Sequence, residues 1–234
     1  MTVFFVPFID KCLHTIYNQT MQTYSHLILS GALNGRFAKR LQSNDKLPPL
    51  HTGAVLLGSV LPDLLLIGIS IAIIGFDILA GNFADGAPGP AAAPGSSWTQ
   101  QLFDVWFFEH PAVIAAQNLF HSPLLVALFM LIGLQAYRRG RRWGAGFFWL
   151  SAAAMLHTLI DIPLHVHDGP LLLFPLNWTL RFHSPISYWD PNHFGREWSL
   201  FEHLLDLTLL IYLFVRYRPA WRTWRLRRKA VRTK

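Results

Sequence analysis

Four long apolar stretches, separated by basic clusters, limit what this chain can fold into. They are 53-GAVLLGSVLPDLLLIGISIAIIGFDILAG-81, 120-FHSPLLVALFMLIGLQAY-137, 143-WGAGFFWLSAAAMLHTLIDIPL-164 and about 198–217. A helix needs about 20 residues to cross a bilayer core, so each is long enough or nearly so. Seventeen of the twenty Lys and Arg residues fall in three clusters: 36-RFAKRLQSNDK-46, 138-RRGRR-142 and the tail from Arg216 to Lys234. Basic clusters alternating with apolar spans are the positive-inside arrangement. A net charge of +7 spread evenly could suggest nucleic acid, but this distribution argues against it and for lipid. The expectation is therefore an all-α, multi-span helical membrane bundle with about four transmembrane helices and a cytoplasmic basic C-terminus.

With the basic clusters inside, segments 82–119 and 165–197 lie outside. The first contains no Lys or Arg, and the second only Arg181 and Arg196. The piece 86-GAPGPAAAPGSS-97 reads as a flexible loop. Residues 1–20 lack the basic start of a signal peptide, and Asp10 and Lys11 interrupt their apolar run. They read as an extension before Met21, followed by one helical domain over 21–217 and a basic tail over 218–234. The single cysteine, Cys12, excludes an internal disulfide framework. Oligomeric state is not legible.

Ionisable groups inside apolar segments are costly and need a reason. The stretch 157-HTLIDIPLHVHDGP-170 has several. His157 and Asp161 are i and i+4, on one helix face. Pro163 should then end the helix, and in an extended segment His165 and His167 would point the same way. His121 enters the second span from the same side. His193 and Glu197 in the outer loop are again i and i+4. Asp63, beside the kinking Pro62, lies about 15 Å into the first span at 1.5 Å per residue. Imidazoles and carboxylates suit Zn²⁺ at a site that keeps a position for water, so convergence at one depth indicates a metal site.

These motifs resemble a known family. His26 in an N-terminal helix, LPD at 61–63, FHSPL at 120–124 and HTLID at 157–161 are similar to the bacterial inner-membrane metal-dependent hydrolases, also called LexA-binding membrane-associated hydrolases. The order His26, Asp63, His121, His157 with Asp161, His167, and His193 with Glu197 also resembles that of zinc-dependent phospholipase C. The resemblance implies a phospholipase-C-like set of metal ligands drawn from these residues, with His165 competing with His167. It further implies one or two Zn²⁺ ions and a small-molecule or lipid phosphoester substrate. The N-terminal residue that ligates metal in the secreted enzymes has no counterpart in this chain.

On that reading Asp63 is the general base, opposite the His157–Asp161 face, and Arg181 and Arg196 could grip a phosphate. Their bland alternative is pairing with Asp190 or Glu197. Glu202, His203 and Asp206 read as interfacial polar residues or as partners that orient metal-bound imidazoles. Asp168 reads as a turn-former, and His14, His51 and His110 need no role. Two other function classes stay open: a scaffold or transporter with a His/Asp proton path, and a haem protein clamped by His121 and His157.

Overall fold

The computed structural model describes residues 23–34, 40, 47–82 and 97–232, with only the backbone described over 220–232. The expected extension at 1–20 and all but Ser97 of the expected loop at 86–97 lie outside the described residues. Within them the chain is all-helical, apart from one isolated antiparallel bridge between Leu171 and Arg181. The helices are α1 (Thr23–Leu33), α2 (Thr52–Gly58), α3 (Leu61–Ala80), α4 (Pro111–Asn118), α5 (Pro123–Arg138), α6 (Gly144–Asp161) and α7 (Gly195–Arg232). Three stretches have the length and composition to cross a membrane: Leu61–Ala80, Gly144–Leu164 and Gly195–Pro219. A fourth exists if α4 and α5, bent by 50° at the break before Pro123, count as one broken span.

The bundle is organised on α6, which packs most extensively against α5 and next against α2. Glycines allow the close approach. A Cβ on Gly133 would lie 2.6 Å from the Phe148 nitrogen, and one on Gly144 would run into the Tyr137 backbone. Small residues at such crossings let backbones meet, which drives helix association where lipid removes the hydrophobic term. The exposed 138-RRGRR-142 turn links α5 to α6, with Gly140 at φ 72°. Ala54, Phe148 and Trp149 form the core beside it, and the Trp149 indole donates to the Pro48 carbonyl at 3.0 Å.

Several expectations need correcting. The apolar run at 53–81 is two helices, because the chain breaks at Ser59–Val60 just before Pro62. His51, expected to need no role, caps α2 by accepting from the Ala54 N–H at 3.2 Å. Residues 98–109 are helical, with a π-helical turn at Leu102–Trp106, where the sequence suggested only a connection. Buried Asp77 ties that segment to the end of α3, accepting from the Thr99 N–H and hydroxyl, both at 2.7 Å. The helix of the fourth span does not stop near 217. It continues through Pro219 to Arg232, about 57 Å at 1.5 Å per residue.

Candidate metal centre

Four elements deliver ionisable side chains to one buried point. α6 supplies His157 and Asp161 from its last turns, roughly 25 Å along the helix from the basic turn at its start. The α4–α5 break supplies His121, the first turn of α3 supplies Asp63, and α1 supplies His26. The ligand atoms of Asp63, His121, His157 and Asp161 all lie within 4.8 Å of one another. Asp161 is central, with Oδ1 3.1 Å from His26 Nε2 and Oδ2 2.9 Å from His121 Nε2 and 3.0 Å from His157 Nε2. His26 stacks on His157 with ring centroids 3.7 Å apart.

The neighbours fix how these groups present themselves. His157 Nδ1 is 2.8 Å from the Ser59 carbonyl oxygen. A carbonyl only accepts, so Nδ1 carries the hydrogen and Nε2 is turned inward, as a lone pair when the imidazole is neutral. That lone pair meets Asp161 Oδ2 and, at 3.3 Å, Asp63 Oδ1. A lone pair so placed needs a proton or a metal cation between it and the carboxylates. Only the His121–Asp161 contact is an aligned hydrogen bond; His157 Nε2, His26 Nε2 and Asp161 Oδ1 make none among the described residues. Atoms aimed at a shared point rather than at each other, with an outer hydrogen bond fixing the tautomer, form a set that could bind a metal ion. Thr23 provides another outer contact, donating its hydroxyl to Asp63 Oδ2 at 2.6 Å.

A cavity of about 40 Å³ adjoins the cluster, lined on one side by Asp63, His121 and Asp161 and elsewhere by Gln117, His165, Asp168 and Tyr188. Space of that size holds water or a small polar group. His165 and Asp168 form an ion pair at 3.1 Å, and the Trp189 indole donates to Asp168 at 3.1 Å. Burial would push the Asp168 carboxyl up, but His165 and Trp189 outweigh it and hold it below the usual range. Burial would likewise lower His165, but Asp168 first, then Asp161 and Asp63, raise it. Asp168 is thus a partner of His165 as well as a residue of the bend.

Other expected site residues are not gathered in. His165 and His167 do not share a side, because the chain bends over 166–168: His165 is buried and His167 is exposed, 3.3 Å from His183. His193 and Glu197 do not share a helix face. Phe194, at φ 62°, separates the Pro191–His193 turn from α7, leaving His193 paired with Asp190 at 2.7 Å and Glu197 exposed. Asp63 does face the His157–Asp161 pair from α3, 3.3 Å from His157 Nε2, and lies within the same group as His121.

The two arginines pair with neither Asp190 nor Glu197. Arg181 donates to the Gly169 carbonyl and lies over the Phe107 and Phe108 rings, and Arg196 is exposed on α7. Neither lines the cavity. Glu202 and Asp206 are buried, and Asp206 accepts from Ser25 at 2.6 Å, holding α1 against α7. The haem arrangement fits poorly, since His121 and His157 meet the same carboxylate oxygen, with ring centroids 5.0 Å apart.

Fold and site together define an all-helical chain with three or four membrane-length helices and a buried His/Asp cluster that could hold a metal ion. Neither a family model, nor a curated protein, nor a solved structure matches it.

Proposed function

We propose that this chain is a membrane-embedded, metal-dependent hydrolase of the bacterial inner membrane, its basic C-terminus cytoplasmic, acting on a phosphoester or lipid-like substrate. The observation that carries the reading is the convergence of Asp63, His121, His157 and Asp161, with ligand atoms within 4.8 Å of one another, in an apolar bundle. His26, His121, His157 and Asp161 would hold one or two Zn²⁺ ions beside Asp63, a donor set of the kind catalytic zinc uses. Bound zinc would supply Lewis acidity and a water ionising near neutral pH. The cavity beside the cluster would seat the scissile group. Asp63, which lines it and accepts from the Thr23 hydroxyl, would take a proton from water. The resemblance of LPD, FHSPL and HTLID to the membrane hydrolases supports the same substrate class.

One observation favours a different reading. His121 Nε2 and Asp161 Oδ2 do satisfy hydrogen-bond geometry at 2.9 Å, as a His/Asp proton path would require. One experiment separates the two. Protein in nanodiscs is incubated with chromogenic phosphomonoesters, phosphodiesters and phosphocholine esters, before and after chelation and zinc return. The hydrolase reading expects turnover that chelation abolishes and zinc restores, and that Asp63→Asn lowers by the 10²–10⁴-fold typical of a general base. Chelator-insensitive turnover would overturn the metal dependence, and no turnover with zinc bound would transfer the case to the proton path.

A further inference from the structure

Between Gly169 and Leu180 runs GPLLLFPLNWTL, with no charged residue. It folds as an irregular hairpin closed by the Leu171–Arg181 bridge and by the Leu172 N–H donating to the Leu180 carbonyl at 2.9 Å. The base of the hairpin is held firmly. The Leu171 N–H donates to buried Asn118 Oδ1 at 2.8 Å, and the Ser122 hydroxyl donates to the Phe174 carbonyl at 3.1 Å. Leu171 and Phe174 pack on Ile114 of α4.

The tip is the reverse of what water selects. Leu176 is 82% exposed, and Leu173, Trp178, Leu180 and Phe182 are each more than 40% exposed. Several of its polar atoms are paired within the hairpin. Asn177 Oδ1 accepts from the Thr179 N–H, the Thr179 hydroxyl and the Leu180 N–H, and the Trp178 indole donates to the Pro175 carbonyl at 3.0 Å. Non-helical backbone meets lipid only when its polar groups are satisfied within the protein, and an indole with an apolar rim suits the interfacial belt.

We infer that the 171–181 hairpin is a lipid-inserted element, its Leu176–Trp178 tip seated in the acyl and interfacial region of the bilayer. Continuity with a span supports lipid as the occupant. The hairpin is anchored at the α4–α5 break, where α5 begins an exposed apolar row of Leu124, Leu128 and Leu131 at i, i+4 and i+7. Its chain leads back through Asp168 to His165 on the cavity wall, so lipid contact would hold the cavity near the bilayer surface. That consequence for substrate rests on the hydrolase reading; the lipid contact itself does not.

The test uses the full chain with Cys12→Ser and Leu176→Cys, labelled with an environment-sensitive fluorophore, at one chain per phosphatidylcholine–phosphatidylglycerol nanodisc. Arg141→Cys in the exposed basic turn serves as the aqueous control, and Leu180→Cys as a second tip position should either variant express poorly. The expected result is a blue-shifted tip label quenched several-fold more by doxyl-labelled lipid than by iodide, with the reverse at residue 141. Iodide quenching of the tip equal to the control would overturn the inference. So would shielding from iodide, without doxyl quenching, seen in discs loaded with two chains and lost at one chain per disc, which would make the occupant a second copy.

Discussion

Asp161→Ala should lose divalent metal binding almost completely, by more than the ~100-fold that altering an outer-shell partner typically costs. Its one carboxylate joins three imidazoles, spanning His26 with one oxygen and His121 and His157 with the other. Its removal leaves three buried imbalanced imidazoles with Asp63 as the remaining carboxylate in the set. The measurement is a competition titration of apo protein against a chromogenic zinc chelator. Asp161→Asn run in parallel keeps the side-chain volume but removes the charge. Both variants should lose the site while remaining helical by circular dichroism. Wild-type affinity in either would show that Asp161 is not a ligand.

Gly58→Ala should be the most damaging change of a single methyl group. The added Cβ would run into the Leu150 carbonyl of α6 and lie 2.9 Å from Leu150 Cα. Both are backbone atoms, so no rotamer change relieves the contact and α2 must move off α6. The cost should reach the upper end of overpacking penalties, about 3 kcal/mol. The damage also extends to the site, because the next residue, Ser59, supplies the carbonyl that fixes His157. Zinc affinity should fall with stability. Gly68→Ala is the matched control: nothing lies within 4 Å of its Cβ, and alanine in place of glycine favours a helix by about 1 kcal/mol. Thermal unfolding in one detergent compares the two. Equal effects at 58 and 68 would contradict the packing of α2 on α6.

The contrast between these two glycines indicates what the sequence could reveal. Both sit in apolar runs at 53–81, and nothing in the residue pattern distinguishes a glycine facing a backbone from one facing open space. The helices themselves were readable, because apolar length and basic punctuation are local properties. So was the His157–Asp161 pair, since four residues make just over one helical turn. His121 in FHSPL and Asp63 in LPD were legible as costly groups in apolar surroundings, although their meeting point depends on two chain breaks. The break at Ser59–Val60 exposes a carbonyl to His157, and a backbone acceptor leaves no mark in side-chain identity.

Where the reading failed, it extended a periodicity across a conformational change. His193 and Glu197 have helical spacing, yet Phe194 takes a left-handed conformation that non-glycine residues seldom adopt. His165 and His167 have strand spacing across a bend. The helical run at 98–109 was hidden by its mixture of aromatic and polar residues, although Ser97 caps it through the Gln100 N–H.

The central claim is that the buried cluster holds a divalent metal ion, and elemental analysis of detergent-purified wild-type protein tests it most directly. The account predicts zinc at about one to two ions per chain, the count its donor set can coordinate, retained through dialysis and removed only by strong chelation. A folded, monodisperse protein that contains no stoichiometric metal and takes up none from zinc, manganese or iron solutions would contradict it.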